Sequence, residues 1–153
     1  MDIADRLALR ELVEGYAQAV DAKDVDAVVG LFTEDGRLVS HIPPGTDESP
    51  LEQQGHQQLH RALELGLARY RVTTHMIGGQ VLRADGEGAS GVTVCRAHHL
   101  YDSRRNGSEG GSRMLVMALR YHDRYVRAPE GWRFGERLLR LDWLEDRPFG
   151  DRS

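Results

Sequence analysis

The amino-acid sequence predicts an α+β fold in which a strongly curved antiparallel or mixed sheet forms a cone packed on N-terminal helices. Three observations predict it. Apolar residues recur at helical spacing through the first seventy residues, they alternate at strand spacing from Arg71 onward, and DGEG, SRRNGSEGG and APEG divide that later region into four strand-like runs. A chain of 153 residues, 40% of them hydrophobic, suffices for one sizeable core and is short for two, so residues 1–153 are expected to form a single domain. Such a cone leaves a largely apolar pocket between sheet and helices.

In order along the chain, Ile3, Leu7, Leu12, Val13, Tyr16, Ala17 and Val20 fall three and four residues apart and mark an amphipathic first helix ending near Asp21. Asp24 can cap a second helix that turns Val25, Val28, Val29 and Phe32 inward and stops at Glu34-Asp35-Gly36. Arg37 to Ser40 is a short strand. HIPPGTDESP follows, and the stretch from His41 to Leu51 suits an exposed loop or lid. Gly55 to Tyr70 reads as a third helix. The four runs after Arg71 form an antiparallel meander, with Asn106-Gly107 at one hairpin tip inside a glycine-rich, mobile loop. A curved sheet also presents an apolar outer face, so a homodimer or homotrimer is expected.

The net charge of −4, with 20 basic residues interspersed among 24 acidic ones, gives no basic footprint, and nucleic acid is not an expected partner. Lys23 is the sole lysine among those cations. Cys95 stands alone, which excludes an intramolecular disulfide and a cysteine-based zinc site and suits a reducing cytoplasm. The N-terminus carries acids from its second residue, unlike a signal peptide, and no run approaches the length of a membrane span.

Strand alternation assigns chemistry to particular side chains. Thr93, Cys95, Ala97, His99 and Tyr101 share one face of the second meander strand, while Val92, Val94, Arg96, His98 and Leu100 share the other. Small residues beside His99 suit a ligand cavity, so His99 is placed inside and His98 outside. His75 lies on the preceding strand, before Gly78-Gly79, a pair that permits a bulge. Asp21 ends an apolar helix, where a carboxylate does not complement the helix dipole, and a histidine partner would explain it. That partner is His75 or His99, whose tautomer the carboxylate would fix. The bland reading makes Asp21 a solvated helix terminus and His75 a satisfied sheet histidine. Asp21, His75 and His99 could also ligate a metal. His56 and His60 stand four apart on the third helix, but HQQLH lacks the glutamate of a zincin face, and they read as surface residues. Arg104, Arg105 and Arg113 flank the glycine-rich loop and read as solubilising.

The run YAQAVDAKDVDAVVGLFTEDGRL resembles the opening of SnoaL-like proteins in the nuclear transport factor 2 superfamily, and GW before a basic, apolar last strand resembles their ending. Within that superfamily AVDAKDVD, TTHMIGG and GVTVCRAHH are similar in order and spacing to scytalone dehydratase. The resemblance implies a cystatin-like cone, no cofactor and no metal, with Asp21, His75 and His99 at the positions of the catalytic aspartate and two histidines. Bile acid 7α-dehydratase and a lindane dehydrochlorinase share the Asp/His part, so the resemblance implies elimination chemistry more than one substrate. Two tyrosines of scytalone dehydratase are replaced here by Val20 and Ser40, so scytalone itself is not the expected substrate. Ser40 also stands about where ketosteroid isomerases carry their carboxylate base, which argues against their mechanism.

The resulting expectation is a cofactor-independent dehydratase or lyase, or a related cyclase or isomerase, acting on a small hydroxylated organic molecule of polyketide, steroid or aromatic type. One histidine near neutral pKa can take a C–H proton and return it to the departing hydroxyl. Tyr16, Ser40, Cys95, Met117 and Leu139 are the expected pocket lining, although core packing serves any one of them equally well. The competing expectation is a non-catalytic ligand-binding or assembly module of the same fold, such as a dioxygenase small subunit.

Overall fold

The fold is seen in a computed structural model that describes residues 1–43, 45–105 and 108–150, together with the side chains of all of these except 104, 105 and 108–110. Helix α1, Ile3–Asp21, begins where the Asp2 side chain accepts from the Asp5 backbone N–H at 2.8 Å. It buries Leu9, Leu12, Val13, Tyr16, Ala17 and Val20. It ends in two backbone bonds, Lys23 N–H to Val20 O at 3.0 Å and Asp24 N–H to Ala19 O at 2.9 Å, with Lys23 at φ +57°. This 5→2 and 6→1 pairing is a Schellman closure. Asp24 then caps α2, Val25–Gly30, by accepting from Ala27 N–H at 3.0 Å.

Helix α2 is shorter than its pattern predicts. Phe32 is buried as expected, but as the first residue of strand β1, Phe32–His41. Phe32 pairs with Phe134, their rings 5.1 Å apart, and the Phe134 N–H reaches the Leu31 carbonyl at 2.8 Å. Aromatic pairing across the sheet outweighs one more turn of a helix too short to be stable alone. Between Phe32 and Arg37 the register shifts, and a Cβ on Gly36 would lie 2.9 Å from both Phe32 Cβ and the Thr33 carbonyl oxygen, so glycine is required there.

The predicted lid ends in strand β2, Leu51–Gln54, which pairs antiparallel with β1. Helix α3, Gly55–Leu67, stops three residues before the predicted Tyr70. Strands β3 (Val72–Asp85), β4 (Gly88–Arg105), β5 (Ser108–Ala128) and β6 (Gly131–Pro148) form the predicted meander, and the six-stranded order is β2-β1-β6-β5-β4-β3. β1 runs parallel to β6, which makes the sheet mixed. Much of the stretch predicted as a glycine-rich loop is strand, because β4 and β5 stay paired to Arg105 and Ser108; the predicted Asn106-Gly107 tip lies outside the described residues. Irregularities at Ile77/Gln80, Ala118/Leu119 and Arg124/Tyr125 bend the strands. The first coincides with the Gly78-Gly79 pair. No helix among the described residues is long and apolar enough to cross a membrane.

The core holds one ion pair that periodicity does not announce. Arg137 and Asp123 are both fully buried, joined by Nε to Oδ1 at 2.8 Å and Nη2 to Oδ2 at 2.7 Å. The guanidinium carbon lies 4.0–4.2 Å from the ring centres of Tyr16, Tyr121 and Phe134. The Tyr125 hydroxyl donates to Asp123 at 2.9 Å.

Candidate active site

Alternation along β3 turns Thr73, His75 and Ile77 toward the helices, and α1 packs against this edge strand, so the last residue of α1 meets the start of β3. Asp21 takes three hydrogen bonds there. Its Oδ1 lies 2.7 Å from His75 Nδ1 and 2.8 Å from the Thr73 hydroxyl, and its Oδ2 accepts the His75 backbone N–H at 2.8 Å. The carboxylate is therefore locked to one strand through ring, backbone and neighbouring hydroxyl. Burial pushes its pKa up, but the His75 ring, the His75 amide and the Thr73 hydroxyl outweigh burial and hold it below the usual carboxylate value. An ionised Asp21 only accepts, so His75 Nδ1 donates to it, and in the neutral ring Nε2 holds the lone pair. The His75 side chain is 8% exposed.

His99 lies inside and His98 outside, as alternation predicts: along β4, Thr93, Cys95, Ala97 and His99 are buried, while Val94, Arg96, His98 and Leu100 are at least partly exposed. The His99 ring meets His75 edge-on, centres 5.6 Å apart, and the Tyr70 ring lies tilted against it at 4.6 Å. Its Nδ1 is buried without a partner. Burial, and next the charge His75 carries when protonated, lower the His99 pKa to about 4, so the ring is neutral at pH 7. Of the two partners considered for Asp21, His75 makes the bonds and His99 stands one ring further on. Among the described residues no three His, Cys, Asp or Glu side chains gather as a metal cage.

A cleft of about 390 Å³ reaches His75 between Ile77 and the α1 residues Glu11, Glu14, Gly15, Ala17 and Gln18. Its helix wall is polar, unlike the largely apolar pocket expected between sheet and helices, because the solvent side of α1 forms its rim.

The expected lining residues divide. Met117, 8% exposed, lies in register with Ala97, itself opposite His75, so it shares the site's row across the inner face. Leu139 is partly buried against the core and pairs with half-buried Ser40, whose hydroxyl accepts from Ile42 N–H at 3.4 Å. Cys95 is fully buried, and the Tyr121 hydroxyl donates to its sulfur at 3.5 Å. Tyr16 is 4% exposed among Phe32, Tyr121 and Phe134, a core setting under Arg137. Arg113 does more than solubilise a loop. Its Nε donates to Asp146 Oδ1 at 2.9 Å while the Tyr101 hydroxyl donates to Oδ2 at 2.7 Å. The side chains of Arg104 and Arg105 lie outside the described residues. His56 faces the Phe32 carbonyl at 3.2 Å and His60 approaches Asp26 at 3.2 Å on the α2–α3 side.

Sequence reasoning missed Thr73 and Tyr70. Thr73 was legible, since it stands two residues before His75 on the same strand face. Tyr70 was not, because its position depends on where α3 stops.

Comparison with known proteins places this geometry in context. A SnoaL-like domain model matches residues 1–138. An uncharacterised Mycobacterium tuberculosis protein, Rv2910c, is 28% identical over 137 residues, 90% of this chain and 85% of that one. Two solved structures from Novosphingobium aromaticivorans share the fold. One, provisionally named an aromatic ring hydroxylase, is 24% identical with a TM-score of 0.78, covering 96% of each chain. The other, provisionally named a scytalone dehydratase, is 21% identical with a TM-score of 0.77, covering 99% of this chain and 97% of that one.

Proposed function

The chain belongs to the SnoaL-like domain family, and from that premise we propose that it is a cofactor-independent lyase that dehydrates a small, neutral, hydroxylated organic molecule with an Asp21–His75 dyad. The observation that carries the reading is the three-bond lock of Asp21 onto His75 and its strand neighbour Thr73, in which the Nδ1 bond commits one imidazole nitrogen and leaves the other free. A protein named for dehydration among those sharing the fold is consistent with it.

Nε2 of His75 takes the proton from a carbon acidified by a neighbouring carbonyl. The electron pair of that C–H bond forms the new double bond as the C–O bond on the next carbon breaks. The imidazolium then returns its proton to the departing hydroxyl, which leaves as water. Asp21 stabilises the imidazolium and remains ionised. His99, neutral and with Nδ1 unpartnered, hydrogen-bonds a substrate oxygen. Glu11 and Glu14 line the cleft, Asp21 is negative and Arg10 is tied to Glu14, so the site favours an uncharged substrate over a carboxylate.

The test is turnover of a panel of β-hydroxy carbonyl compounds with polyketide, aromatic and steroid skeletons. His75→Ala and Asp21→Asn are expected to fold and to lose about 100- to 10,000-fold in rate, while His98→Ala keeps it. Undiminished turnover in either of the first two rejects the dyad.

A further inference from the structure

A lysine occupies a position that favours glycine. In the Schellman closure of α1 the residue at C′ takes a left-handed conformation, which glycine adopts without steric cost and a side chain resists. Here that residue is Lys23, the one non-glycine at positive φ among the described residues and the sole lysine of the chain. Its ammonium donates to the backbone carbonyl of Tyr70, in the segment joining α3 to β3. The Tyr70 ring in turn lies 4.6 Å from the His99 ring and edge-on to Tyr101 at 6.4 Å. His99 Nδ1 has no partner and no solvent exposure. A buried ring nitrogen without a hydrogen bond is costly in a resting protein, and it is unusable by a substrate until the cover moves.

We propose that Tyr70 is a gate over His99, and that Lys23 is a positioning residue whose ammonium holds the gate closed from the turn two residues beyond Asp21. This deepens the dehydratase reading and rests on it for its purpose, since the gated atom is the one assigned to the substrate oxygen. The same turn anchors both halves of the site: Asp21 bonds Thr73 and His75, and Lys23 bonds Tyr70, so a shift of β3 relative to α1 disturbs dyad and gate together.

The test reads His99 directly and needs no substrate. Histidine ring signals of the full chain are followed by NMR titration, with His99 assigned from its loss in His99→Gln. The groups acting on His99 are His75 with Asp21 behind it, the Leu115 backbone and the Tyr70 ring, while His98 projects from the opposite face. Lys23→Gly keeps the left-handed turn and removes the ammonium, so thermal stability holds or rises. The His99 titration is expected to move up by about 1 unit or more in Lys23→Gly and in Tyr70→Ala as the ring becomes hydrated, and to stay in place in Lys23→Arg. The double variant Lys23→Gly/Tyr70→Ala is expected to match Tyr70→Ala alone, because Lys23 acts through Tyr70. An unmoved His99 in Lys23→Gly overturns the latch, and an unmoved His99 in Tyr70→Ala overturns the gate. Additive shifts in the double variant also overturn the latch, since they mean that the lysine charge acts on His99 without Tyr70. The expected shifts in a protein without dyad-dependent turnover would leave the gate standing and sink the dehydratase reading.

Discussion

At the scale of single residues, two groups of the site titrate in opposite settings. His99 is neutral in the folded chain down to about pH 4, whereas in the unfolded chain it binds a proton near its ordinary value of 6.5. Between those values the unfolded state holds more protons, so stability falls as pH drops from 6.5 toward 4. The span corresponds to at most about 3 kcal/mol for this residue. Replacing His99 with Gln is expected to flatten that part of a plot of denaturation midpoint against pH, and equal slopes in variant and wild type would contradict the assignment. Asp21 contributes on the other side: its folded pKa lies below 3.8, so its stabilisation is present above that value and is lost as pH falls through the folded one. Thr73→Val removes one donor to Asp21 Oδ1. It is expected to cost about 1 kcal/mol in chemical denaturation and to move the Asp21 step toward 3.8. A Thr73→Val protein with the wild-type acid limb would show that the hydroxyl does not support the carboxylate.

At the scale of elements, β5 and β6 are joined by backbone pairing and by the Arg137–Asp123 fork enclosed in aromatic rings. Taking one charge from such a pair strands the other in a low-dielectric interior. Arg137→Met is expected to lose about 3–5 kcal/mol in urea unfolding, while adding Asp123→Leu recovers most of it, because a buried pair is worth little against a well-packed apolar substitute. A double variant as unstable as the single one would mean that shape, not charge, governs this part of the core. Tyr16 belongs to the same unit, since its ring stacks under the guanidinium while its helix ends in Asp21. Packing at the sheet centre and chemistry at the helix tip therefore share one rigid helix.

At the scale of the whole molecule, the outer face of the sheet carries Met76 at 59%, Val81 at 64%, Val94 at 39% and Trp143 at 46% exposure, with Arg96 stacked over Trp143. Exposed apolar groups on one face favour association. Self-association of this chain through that face is the partner reading we propose. Light scattering is expected to give two or three times the single-chain mass of 17.2 kDa. Trp143→Glu is expected to return the single-chain mass, and a monomeric wild type would refute the reading.

How much of this was legible in the chain differs by the range of the interaction involved. Periodicity identified α1, the four meander strands, the inward His99 and the outward His98, because side-chain direction in a helix or strand is a local property of the backbone. The resemblance of AVDAKDVD, TTHMIGG and GVTVCRAHH to scytalone dehydratase implied Asp21, His75 and His99 as the site residues. Tertiary structure alone decided that Asp21 bonds His75 and not His99, that Phe32 starts a strand, and that Tyr16 and Cys95 sit in the core. It also decided that Arg137 and Asp123 share the interior and that a left-handed lysine reaches Tyr70. Each of these depends on where one element stops against another. Such a stop is set by pairing, packing and burial between residues far apart in the chain, and local propensity does not contain it.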